Sequence, residues 1–132
     1  MAVTITRRLL SGSVDGQGIG ITATQGATYN TIHTSTSAGS GTIDEVYLYV
    51  NNNYTATVKV AIEWGNSATQ STMIIAVDPQ IGPQQVVPGL LILGSATAAV
   101  DIAAYHAGTA STVTSGAIQI SFYGHVNRIV QT

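Results

Sequence analysis

EVYLYVNNNYTATVKVAIEW, residues 45–64, alternates apolar and polar side chains in two runs separated by Asn51, Asn52 and Asn53. In the first run Val46, Leu48 and Val50 point one way and Glu45, Tyr47 and Tyr49 the other. In the second, Ala56, Val58, Val60, Ile62 and Trp64 oppose Thr55, Thr57, Lys59, Ala61 and Glu63. A period of two is what half-buried strands require. Asparagine tolerates the left-handed backbone of tight turns, so the stretch predicts a β-hairpin at the centre of a sheet, with Trp64 on the core side.

The same pattern extends in both directions. On the N-terminal side, Val3 and Ile5 alternate with Thr4 and Thr6 ahead of Arg7 and Arg8, which predicts a short strand or extended arm. The glycine-rich SGSVDGQGIG follows as a loop leading to a weak strand at 19–24. Residues 28–37 read as a strand and SAGSG, 37–41, as a turn. Beyond Trp64, GNSATQS reads as a turn and Thr72 to Val77 as a strand. Residues 78–89 hold all three prolines and predict a long surface connection with edge character, before a short apolar strand at 90–93. In SATAAVDIAAYHAG the alanines favour a helix, but Val100, Ile102 and Ala104 alternate with Asp101, Ala103 and Tyr105, and a strand is expected. In GAIQISFYGHVNRI, Ile118, Ile120, Phe122 and Val126 share one face, opposite Gln119, Ser121, Tyr123 and His125. Gly124 within this strand signals a bulge or a close backbone approach.

About eight strands at a spacing of about 8 to 15 residues predict an all-β antiparallel two-sheet sandwich, jelly roll or immunoglobulin-like. Residues 1–17 are read as an N-terminal arm and linker, and 18–132 as a single β-sandwich domain.

Composition narrows the function. Hydrophobic residues make up 45% of the 132 and charged residues only 8%, against about 25% in an ordinary soluble domain. Such a surface has little electrostatic defence against association and is read as one that meets other protein. A net charge of −2 gives no footprint for nucleic acid. No apolar run is long enough to span a membrane, and the N-terminus has no signal-like apolar segment. There is no cysteine, hence no disulfide or thiolate chemistry.

The residues that could carry chemistry are few and scattered. Asp44 and Glu45 are adjacent, so on a strand they diverge; both are read as solvated strand-entry residues. Asp15, in DGQG, lacks the further oxygen ligands of a calcium loop. His33, His106 and His125 show no paired ligand spacing, and no G-x-S-x-G elbow is present. No enzymatic activity, metal or cofactor is expected. Lys59 and Glu63 are read as solubilising. The candidates that remain are contact residues: Val3, Ile5, Arg7 and Arg8 on the arm, Tyr47 and Tyr49 on the outward side of the central stretch, and Tyr123 with His125 near the C-terminus.

YLYVNNNYTATVKVAIEWG, the apolar VVPGLLIL and the ending FYGHVNRI, within 42–130, together resemble the small all-β decoration, or cement, proteins on the capsids of tailed bacteriophages. The resemblance implies a non-enzymatic virion protein, made in the host cytoplasm, that binds the major capsid protein on the capsid exterior as a homotrimer. A carbohydrate-binding β-sandwich module of a fibre or surface protein is the alternative.

Overall fold

The computed structural model describes residues 2–23, 29–36, 42–65, 70–93, 99–107 and 120–131. They hold nine strands: β1 Val3–Leu9, β2 Ile19–Gly20, β3 Asn30–Thr34, β4 Thr42–Asn52, β5 Val58–Gly65, β6 Ser71–Val77, β7 Gln84–Ile92, β8 Asp101–His106 and β9 Ile120–Gln131. Two antiparallel sheets form. Sheet A runs β1-β9-β4-β7, with β2 also on β9, and sheet B runs β3-β8-β5-β6. The expected sandwich is therefore present, and the strand at 101–106 resolves the alanine-rich ambiguity against a helix.

The strand order decides between the two sandwich topologies. The chain passes repeatedly from one sheet to the other, first and last strands lie side by side, and among the described strands only β5 and β6 form a pair of consecutive neighbours. That is the double Greek key of a jelly roll, whose strands wrap as a folded ribbon.

The same order corrects the reading of residues 45–64. β4 lies in sheet A and β5 in sheet B, so they face each other across the core instead of pairing. Val46, Leu48 and Val50 and also Val58, Val60 and Ile62 are buried, as their alternation predicts. Alternation specifies the inward face but not the neighbour, and a hairpin and an inter-sheet crossing need the same inward face. Asn52 holds the crossing. It is buried, its side-chain amide donates to the carbonyls of Ala56 and Val77 (both 2.9 Å), and its Oδ1 accepts from the Tyr54 N–H at 2.8 Å. Asn52→Ala should strand these three backbone groups and lower stability by about 2–3 kcal/mol, read from the urea midpoint at unchanged m-value.

A second correction concerns 78–89. The chain enters β7 at Gln84 and runs through Pro88 and Gly89 to Ile92. Among the described strands β7 pairs only with β4, and the register shifts where Val46 and Tyr47 face Leu90 and Pro88, so the proline sits on an edge strand at an irregularity, where a missing N–H is tolerated. The expectations for 24–28, 37–41, 66–69, 94–98 and 108–119, Ile118 and Gln119 among them, lie outside the described residues.

The core fills the space between the sheets around Phe122, Leu48, Ile62, Ile102 and Ile120. Residues 19–23 cross one margin of the sandwich: Ile21 N–H donates to Ile120 O, and Ala23 O accepts from His106 N–H. Ala23 then covers the outer side of sheet B with Ala61 and Tyr105, and Tyr29 packs against Tyr105 at 5.2 Å. Sheet B thus has part of its exterior covered by its own chain.

Candidate interaction face

The outer side of sheet A carries a different set of residues. Paired residues of antiparallel strands project to the same face, so the register can be read as rows. Ile5, Ile129 and Ile43 form one row across β1, β9 and β4, and Leu93 follows Ile92, the partner of Asp44, at the edge of the same row. Arg7, Asn127, Glu45 and Leu91 form the next, then Leu9, His125 and Tyr47, then Tyr123 and Tyr49. Of the eight contact residues expected from the sequence, Val3, Ile5, Arg7, Tyr47, Tyr49, Tyr123 and His125 come to this one face. Arg8 does not: it lies opposite the buried Val126 and so projects to the other side.

An antiparallel sheet with one face on the core ordinarily presents polar residues on the other. Here Val3, Ile5, Leu9, Leu91 and Leu93 are all more than half exposed on or beside that outward face. β1 is exposed along its whole length; Val3–Leu9 pair with β9 on one side, and no other described strand pairs with them.

The aromatic part of the face is held in place. Tyr47 stacks on His125 with ring centroids 4.9 Å apart at 15°. The Tyr47 hydroxyl donates to Glu45 Oε1 at 2.9 Å, and the Asn127 amide donates to the same oxygen at 3.1 Å. That bond to the carboxylate, with lesser help from desolvation, raises the Tyr47 pKa. Burial, aided by the positive charge of Arg7, lowers that of His125. Gln85 donates to the Tyr49 hydroxyl at 3.3 Å. The Tyr123 ring lies directly over Gly18, where any Cβ would collide with it.

At the end of the sandwich sits a cluster that the sequence pattern alone does not reveal. Asp44, read as solvated, is buried at 1% exposure. It accepts a two-pronged contact from Arg128 (2.7 and 2.8 Å) and a third bond from His33 Nε2 at 2.8 Å. His33 Nδ1 accepts the backbone N–H of Ser11 at 3.0 Å, so the ring carries its proton on Nε2. Asp44 and Arg128 belong to sheet A and His33 to sheet B, so the cluster ties the two layers together. It brings Ser, His and Asp into contact without the arrangement of a hydrolase: the Ser11 hydroxyl accepts from Thr34 N–H, and His33 Nδ1 is taken up by the Ser11 backbone instead of its hydroxyl. Glu63, expected to be solvated, accepts from the Tyr105 hydroxyl at 3.1 Å.

An apolar cleft of about 320 Å³ opens between the edge strands β6 and β7, lined by Trp64, Met73, Val86, Val87, Pro88, Gly89 and Leu90. Trp64 thus packs against the core, as its phase predicts, while also facing this cleft.

No family model matches the sequence, and no curated protein matches it. Among solved structures, a chain of the infectious bursal disease virus particle superposes with a TM-score of 0.58 at 10% identity, over 98% of this chain and 31% of that one. What the two chains share is the two-sheet β fold. Chains of the Gt strain of that virus (TM-score 0.49, 11% identity, 97% and 32% covered) and of a mutant VP2 protein of the virus (0.48, 12%, 98% and 32%) are weaker likenesses. The chain therefore spans about a third of the length of these virus chains. The likeness is one of fold and does not point specifically to a decoration protein of a tailed bacteriophage.

Proposed function

We propose that this is a structural virion protein that works by assembling with other capsid protein through the outer side of sheet A. The observation that carries this is the apolar row Ile5, Ile129, Ile43 and Leu93, which crosses the whole sheet on a face that would otherwise meet water. In its finer form the protein is a decoration protein, a homotrimer set on the capsid exterior against the major capsid protein, without enzymatic activity. Many copies on a lattice let each contact be modest, because avidity multiplies them.

The test is to add the full chain to shells built from the major capsid protein alone and to image them by electron microscopy. Added density is expected, and Ile5→Asp should remove it while the β-type circular dichroism is retained, because Ile5 is 65% exposed. Shells that stay bare, together with a positive glycan array, would favour the carbohydrate-binding reading and overturn this one.

A further inference from the structure

We infer that the outer side of sheet A pairs with the same face of a second copy of this chain, about a two-fold axis running along β9. This rests on the reading of that face as an assembly surface, and it puts a two-fold pair in place of the trimer and a second copy in place of the major capsid protein as the occupant of the face.

The argument rests on where the charges sit. In the second row, Arg7 on β1 and Glu45 on β4 flank Asn127 on the intervening β9. Neighbouring strands are about 4.8 Å apart, so the two charges are about 10 Å apart across the sheet. Among the described residues the ion pairs are His33–Asp44 and Arg128–Asp44, and neither Arg7 nor Glu45 takes part in one. Among the described residues, the donors to Glu45 are the neutral Tyr47 and Asn127.

Turning a second copy by half a turn about an axis along β9, in the plane between the two faces, keeps each row in step and exchanges left for right. Arg7 then faces Glu45 of the partner subunit, and Glu45 faces Arg7 of the partner subunit. Ile5, Ile129 and Ile43 meet the same three residues in reverse order. The aromatic row does likewise, with Leu9 over Tyr47 of the partner subunit. An axis at right angles to the strands and lying along this row would instead set Arg7 over Arg7 of the partner subunit, and like charges opposed in a desolvated interface are unfavourable. The charge pattern therefore selects the axis as well as the face. Aligned sheets pack about 30° apart, which displaces strands one spacing from the axis by about 3 Å, within reach of both long side chains. A closed, self-complementary contact of this kind is the usual form of a two-fold interface.

Sedimentation velocity on the full chain tests the proposal. The wild type should dimerise. Arg7→Glu, and separately Glu45→Arg, should each weaken the dimer by about 10-fold or more, since each sets like charges opposite one another at two symmetric places. The combined variant should restore association to near the wild-type value. Arg7 is exposed on an edge strand, so the first variant leaves the fold intact, as circular dichroism would verify. A wild type that stays monomeric, a dimer indifferent to both reversals, or a combined variant that fails to recover would each overturn the two-fold contact. A monomer that still coats shells removes the second copy as occupant and leaves the structural role standing. A charge-sensitive dimer that coats no shell does the reverse.

Discussion

Asp44→Ala should lower the unfolding free energy by about 3 kcal/mol, because it leaves the partly buried Arg128 guanidinium without its counter-charge. Arg128 loses both contacts to the carboxylate, and His33 loses the acceptor of its Nε2 proton. Chemical denaturation at neutral pH measures the loss. A matched pair of variants separates the charge from the tether. Arg128→Met alone should be costly, since it leaves the carboxylate short of its cation, whereas Arg128→Met combined with Asp44→Leu should recover much of the loss. A pH series provides an independent check. Burial acts to raise the Asp44 pKa, but the hydrogen bonds from Arg128 and His33 outweigh it, and the net result lies below the ordinary 3.8. A lowered carboxylate pKa means that the unfolded chain binds its proton first as pH falls. The contribution of Asp44 is therefore complete above pH 3.8 and is lost as acid moves the pH from there down through the folded-state value. His106 adds an earlier phase. Its burial outweighs the bond to the Ile21 carbonyl and lowers its pKa from 6.5, so stability begins to fall below pH 6.5 as the unfolded chain takes up that proton. Asp44→Ala should remove the acid phase and leave the earlier one in place.

The cluster also marks where local pattern stops being informative. Asp44 has the strand phase of Val46, Leu48 and Val50, and Arg128 that of Val126, so the alternation by itself places both charges on inward faces. The adjacency of Asp44 and Glu45 suggests a solvated pair, yet opposite phases mean opposite environments. Their partner His33 lies on another strand, and pairing across 11 and 84 positions is set by topology rather than by local pattern. The same limit explains the misplaced hairpin at 45–64: phase is legible in the residues, sheet membership is not. The strand at 101–106 is legible because its alternation outlasts the helix preference of its alanines. On the outer side of sheet A, the aromatic and arginine members are recognisable one by one. Ile43, Ile129, Leu91 and Leu93 are not, because an apolar residue on an outward phase acquires meaning only when register lines it up with others.

Gly124→Ala should be among the most damaging substitutions in the chain that add a single methyl group. Its added Cβ would overlap the backbone carbonyl oxygen of Tyr47 and press on Leu48 Cα. Neither is the flexible end of a side chain, so relief requires β9 and β4 to move apart at the middle of an uninterrupted register from Thr42↔Val130 to Asn52↔Ile120. Overpacking typically costs about 1–3 kcal/mol, and a backbone collision inside a central ladder belongs at or above the upper end, about 3 kcal/mol. Gly82→Ala makes the contrast. Gly82 has φ +84 but nothing within 4 Å of its would-be Cβ, so its substitution carries only the left-handed backbone cost of about 1–2 kcal/mol. Thermal unfolding of the two variants side by side should rank them in that order; equal midpoints would mean that the β4–β9 ladder yields more easily than its geometry implies. The consequence reaches the outer face, since the same ladder sets Tyr49 beside Tyr123 and Tyr47 beside His125. If Gly124→Ala folds at reduced temperature, it should still disturb the Tyr47–His125 stack and weaken association. Gly82→Ala should leave association unchanged, which separates loss of the face from loss of stability.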